Sequence, residues 1–109
     1  MPISIIRTRG FVLQLNQAVR NGIDMFGAKV AVKFYQMVEK EIDKLQTFPQ
    51  LGAVEPLLEG RKHIYRSLVI HKHFKIVYYI DSNHEFDNLY IVALWDTRRE
   101  PIRQSSMLH

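Results

Sequence analysis

No cysteine occurs among the 109 residues. Disulfide bridges, thiolate nucleophiles and thiolate metal sites are therefore excluded, and the chain suits a reducing compartment. No apolar run approaches the roughly 18–20 residues that span a bilayer. The N-terminal stretch MPISIIRTRG lacks the charged start and long apolar core of a signal peptide, so a cytoplasmic location with no membrane contact is expected. Only four prolines and five glycines are present, with no linker, repeat or low-complexity segment. Gly-rich phosphate loops, serine-centred elbows and zinc-protease motifs are also missing. One further absence is local: residues 61–80 contain no acid at all.

That acid-free run carries five Lys/Arg (Arg61, Lys62, Arg66, Lys72, Lys75) and three histidines (His63, His71, His73). The net charge of +4 is modest. Its concentration in one half of the chain predicts a positive field suited to phosphates or an acidic partner protein. With 47% hydrophobic and 24% charged residues, a chain of this length should form one domain around one core, residues 1–109 with 102–109 as a short tail.

Hydrophobic period divides the chain in two. ISIIRT, residues 3–8, is short and β-branched and reads as a strand. Phe11, Leu15, Ala18, Val19, Ile23 and Phe26 then recur at spacings of three and four, which predicts an amphipathic helix closed by Gly27. Ala31, Phe34, Val38, Ile42 and Leu45 give a second helical stripe ended by Pro49. So short a break between the two favours a helical hairpin. Residues 64–70, 74–80 and 89–95 are rich in Ile, Val, Tyr and Phe and predict three strands joined as an antiparallel meander. The expected fold is α+β: an antiparallel sheet of about four strands in the order β-α-α-β-β-β, covered on one face by the helical hairpin and partly open on the other.

Several residues stand out chemically. Lys75 lies mid-strand on the face shared with Val77 and Tyr79, and a cation there needs a cleft, a partner or a route to solvent. Arg66 alternates with Leu68 and Ile70. If its face matched that of Lys75, the two would converge with Arg98 on an anion site, since guanidinium groups bind phosphate through paired hydrogen bonds. The apolar stretch from Leu89 to Trp95 gives way to Asp96, Thr97, Arg98 and Arg99, which read either as solvated strand-end charges or as a cationic lip with Arg61 and Lys62 as further contacts. His71 and His73 could clip a metal, but no third ligand has a suitable spacing, so no metal and no cofactor are expected. Glu39 and Asp43 beside Lys40 and Lys44 fit a salt-bridged helix face. Tyr65, Tyr78 and Tyr79 could stack bases, although strand aromatics more often pack a core.

Three segments in order, FGAKVAVKFYQMVEKEIDKLQTFPQLG, EGRKHIYRSLVIHKHFKIVYYI and IVALWDTRREP, resemble the RelE/ParE superfamily of toxins from bacterial type II toxin–antitoxin systems. The resemblance lies in the small-residue start of the second helix, the L-x-x-F-P-x-L-G exit, the "YR" ahead of a cation–Ile–Val–Tyr segment, and a closing strand that ends in paired arginines and Pro101. It implies a growth-arresting toxin held by a cognate antitoxin, with operator DNA contacted only through that antitoxin. ParE-like relatives act on DNA gyrase and RelE-like relatives cut mRNA on the ribosome without a metal; a degenerate member would keep antitoxin binding alone. If the chain were a ribonuclease, the resemblance would assign catalysis to Lys75, Arg66 and Arg98, with Arg61, Lys62, Asp96 and Arg99 as partner or phosphate contacts. Three departures weigh against cleavage: Asp96 stands where ParE-like members usually have His, Phe74 stands where a YoeB-type relative has His, and no Tyr or His follows Arg99 at the nuclease position. The ParE-like alternative, a protein target, is preferred.

Overall fold

The computed structural model describes residues 3–71, 73–82 and 87–98. Lys72, Arg99 and the proposed tail at 102–109 lie outside the described residues. Strand β1 (Ser4–Arg7) leads into helices α1 (Arg9–Phe26) and α2 (Ala28–Thr47), followed by β2 (Ala53–Val54), β3 (Tyr65–His71), β4 (Phe74–Asp81) and β5 (Asn88–Asp96). One turn of 3₁₀ helix, Pro56–Leu58, lies between β2 and β3.

Local chemistry sets the boundaries. Thr8 ends β1 and starts α1: its hydroxyl accepts the Phe11 amide at 3.3 Å while donating to the Ile91 carbonyl at 2.9 Å. Gly27, with φ of 90°, closes α1 and opens α2, and its amide donates to the Ile23 carbonyl at 2.9 Å; a side chain would be strained in that conformation. The apolar stripes of the two helices then face the sheet. Phe11, Leu15, Val38, Ile42 and Leu45 are buried against Ile70, Ile76, Tyr78, Leu89, Ile91 and Leu94. A bidentate ion pair from Arg7 to Glu39, at 2.7 and 2.5 Å, ties β1 to α2.

The sheet has five strands in the order β1-β5-β4-β3-β2 and is mixed, because β1 runs parallel to β5. Both points correct the expected four-stranded antiparallel sheet. Two residues, Ala53 and Val54, show no alternation to read. The parallel pairing arises because the hairpin returns the chain to the far edge, so the first strand meets the last. The β4–β5 register shifts between Val77, opposite Ala93, and Tyr78, opposite Ile91. Val92 is the extra residue, and this bulge reverses the face of every residue before it.

The second face of the sheet is not simply open. Residues 55–63 cross it, and Leu58 is buried on Val77, Ala93 and Trp95 as a second, smaller core. No helix among the described residues is long and apolar enough to cross a membrane.

Candidate functional site

The expected convergence of Lys75, Arg66 and Arg98 does not occur. Lys75 opposes Val69 and Trp95 on the face away from the helices. Its Nζ lies 2.9 and 2.8 Å from the two carboxylate oxygens of Glu55 and 5.3 Å from the centre of the Trp95 ring. Glu55 is only 2% exposed and also accepts the Ser67 hydroxyl at 2.6 Å. The cation in mid-strand thus has a buried counter-charge, brought by the backbone turn that follows β2. The Lys75 side chain remains 18% exposed, and its charge is already matched.

Arg66 points to the opposite face, in line with Leu68 and Ile70. It donates to the Gly52 carbonyl at 2.8 Å. Beside it, the buried Tyr78 hydroxyl accepts the Gly52 amide at 2.9 Å and donates to the Pro49 carbonyl at 2.8 Å. Burial, before any other influence, raises the Tyr78 hydroxyl above its ordinary pKa. Gly52 has no room for a side chain: a Cβ would sit 2.7 Å from the Ser67 carbonyl oxygen and 2.9 Å from Tyr78. The Phe48-to-Gly52 exit of α2 is therefore locked by Arg66 and Tyr78, which gives this arginine a structural task.

Arg98 is exposed and folds back on Asp96, with Nε and Nη2 donating to the two carboxylate oxygens at 3.0 and 2.8 Å. The Asp96 carboxylate raises its pKa above the ordinary guanidinium value. Its guanidinium carbon also lies 6.0 Å from the Phe74 ring centre. Arg61 and Lys62 are exposed in the segment leading into β3. His71 and His73 have ring centres 6.2 Å apart, and no group of three metal-ligating side chains occurs among the described residues.

Two surfaces remain. The first is a cleft of about 520 Å³ where the hairpin overhangs the end of the sheet. Its walls are apolar, formed by Leu13, Met25, Phe26, Phe34, Phe74 and Leu94 among others, with Lys33, Asp96 and Arg98 at the polar margin. Met25 is 72% and Phe26 64% exposed, although both carry side chains that a monomer would normally bury. The second is a row of tyrosines across the sheet face away from the helices. Tyr65, Tyr79 and Tyr90 are opposite one another on β3, β4 and β5. His63 stacks on Tyr79 with ring centres 3.9 Å apart and planes 10° from parallel, and Tyr79 stacks on Tyr90 at 5.1 Å and 20°. Tyr65 meets Tyr79 edge-on at 5.5 Å. Burial, with the neighbouring Tyr65, Tyr90 and Asp81 groups, raises the Tyr79 hydroxyl above its ordinary pKa.

Glu55 was missed in the sequence, and of the tyrosine row only Tyr65 and Tyr79 were singled out, together with Tyr78, which packs in the core instead. A central-strand lysine was a signal for Glu55, since it needs a partner. No signal placed Tyr90 with Tyr65 and Tyr79, because the bulge at Val92 brings it onto the face of Tyr79 against simple alternation.

No family model matches this sequence, nor does any curated protein. Among solved structures, a chain of the chromosomal ParDE TA system from P. aeruginosa superposes with a TM-score of 0.69 at 18% identity, covering 86% of this chain and 95% of that one. A YoeB/ParE toxin from Agrobacterium tumefaciens superposes at 0.58 with 16% identity, covering 86% and 98%. Two helices packed on a mixed five-stranded sheet give this chain the α+β fold of the ParE/RelE toxins.

Proposed function

We propose that the chain is the toxin of a type II toxin–antitoxin module, acting in the cytoplasm on a protein target in the ParE-like manner, DNA gyrase being the leading candidate. The observation that carries the choice of target is the state of the cations. Lys75 is matched by buried Glu55, Arg98 by Asp96, and Arg66 is spent on the Gly52 carbonyl. Cleavage of RNA without a metal needs preorganised donors aimed at one phosphate, whereas these three lie apart and already have acceptors. The exposed apolar cleft is the usual mark of a protein-binding surface, which either reading needs for an antitoxin.

In this reading the cleft seats the antitoxin. Its walls suit the apolar side of an amphipathic segment, and Lys33 at the margin suits an acidic flank. The outer face of β3 and β4, whose charge suits an acidic partner, is partly covered by Glu55 and Leu58. Operator DNA would be reached only through the antitoxin.

Induced expression of the chain alone, with DNA and protein synthesis followed separately, tests this reading. Growth arrest with early loss of DNA synthesis is expected. Arrest of translation with new mRNA ends inside codons would replace it with the ribonuclease reading.

A further inference from the structure

We infer that Met25, with Met37 as a slower second position, is an oxidation site, and that converting its thioether to a sulfoxide switches the cleft from apolar to polar. The site itself does not depend on the toxin reading. Its consequence, release of the antitoxin under oxidising conditions, rests on the reading that the cleft is the antitoxin's seat.

Sulfur chemistry narrows to these two residues. With no cysteine, the four methionines hold all the sulfur in the chain, so no thiol competes for an oxidant. Met1 and Met107 lie outside the described residues. Met25, in the last turn of α1, and Met37, in α2, both line the cleft beneath the hairpin. Met25 is 72% exposed and Met37 36%, which sets their order of reaction, because the oxidant reaches the sulfur from solvent. Neither belongs to the buried core, so an added oxygen is solvated in the free chain and the fold should stand.

A two-electron oxygen donor such as hydrogen peroxide transfers one oxygen atom to the thioether. The sulfur is oxidised, the peroxide oxygen–oxygen bond breaks, and water leaves. Two thiols reverse the step through a sulfoxide reductase, ending as a disulfide while the oxygen leaves as water. A thioether is flexible and apolar and adapts to a partner's side chains. A sulfoxide is polar, and the neighbouring exposed wall residues Leu13, Phe26 and Val30 offer it no side-chain donor. A partner that covers it with apolar groups must strip its water without replacing the hydrogen bonds. The modification therefore acts on the occupied cleft and spares the fold, as a redox switch requires.

The full-length chain and its Met25→Leu/Met37→Leu variant are treated with dilute hydrogen peroxide. Peptide masses locate each added oxygen, and urea melting checks the fold. The cleft is read with Nile red, an uncharged apolar dye that needs no protein partner, and with the purified antitoxin. Oxygen should add to Met25 before Met37 and leave the fold intact. Wild-type affinity for both dye and antitoxin should fall by about tenfold on treatment, the scale of losing an interface anchor, and return with sulfoxide reductase and dithiothreitol. The double variant's affinities, whatever their starting values, should not change on treatment. Oxidation of Met37 ahead of Met25, unfolding on oxidation, no dye uptake before treatment, unchanged dye affinity after it, or an equal loss in the double variant each overturns the inference. If the dye responds as expected while the untreated chain binds no antitoxin, or binds it equally well after oxidation, the oxidation site stands and the cleft is not the antitoxin's seat.

Discussion

Lys75 and Glu55 form an ion pair across the outer face of the sheet, with both carboxylate oxygens within 2.9 Å of one ammonium group. Glu55 is almost wholly buried, so the pair also pins the segment after β2 to the central strand. Removing one member of such a pair leaves a charge with no adequate partner. Removing both at once need not be costly.

Lys75→Met should therefore destabilise the chain by about 3–5 kcal/mol, even though its aliphatic length is kept. Adding Glu55→Met should restore most of that loss. Urea denaturation of the two single variants and the double variant measures the coupling. A Lys75→Met chain as stable as wild type would mean that Glu55 finds another proton or partner. This also changes how toxicity is read: loss of arrest in Lys75→Met alone would report unfolding rather than chemistry.

Gly52→Ala should be among the most damaging single-methyl additions in the molecule. The new carbon would meet the Ser67 carbonyl oxygen and the Tyr78 ring inside contact distance, a backbone conflict costing about 1–3 kcal/mol or more. Tyr78→Phe should cost about 1–3 kcal/mol by leaving the buried Gly52 amide without its acceptor. The urea midpoint reads both. Equal stability of either variant and wild type would show that the Phe48-to-Gly52 turn can shift freely.

Acid should loosen the attachment of β1 to α2. The Arg7 hydrogen bond, more than any other influence, holds the Glu39 carboxyl below its ordinary pKa. A depressed carboxyl contributes stability above its unfolded pKa, about 4.3, and loses it as pH falls through the folded value. The pair is partly exposed, so its share is at most about 1 kcal/mol. Glu39→Gln should lower stability at pH 7 and have a progressively smaller effect below pH ~4. An effect of the substitution that is the same at pH 7 and pH 3 would count against the assignment.

Met25→Asp should leave the fold intact, because the side chain is 72% exposed, yet weaken antitoxin binding by on the order of tenfold or more. Calorimetric titration with the purified antitoxin checks this. Unchanged affinity would move the antitoxin out of the cleft.

Element order was legible because period carried it: the change from spacings of three and four to β-branched runs places both helices and the three long strands within a residue or two of where they lie. The parallel pairing of β1 was not legible, since no local pattern records which edge a strand joins. Lys75 could be identified as unusual from its neighbours alone, but its partner could not. Glu55 sits twenty residues earlier, next to a proline, in a short connecting segment with no period to read. Arg66 and Lys75 differ in face for a reason that only pairing reveals, because alternation within one strand says nothing about its phase relative to the next. Asp96 and Arg98 answer their own question: the charges at the end of β5 bind each other before they bind anything else.

The pairing of β1 with β5 has a consequence for synthesis. Thr8 and Ile91 are hydrogen-bonded across 83 residues of chain, and Ser4 meets Asn88 in the same ladder. Contacts so distant in sequence form late and slow the closing of a fold. A nascent chain that stops before residue 88 has both helices but lacks the strand that joins β1 to β4, so the sheet remains split beneath them. Closing the sheet therefore waits on β5, the last strand to be made.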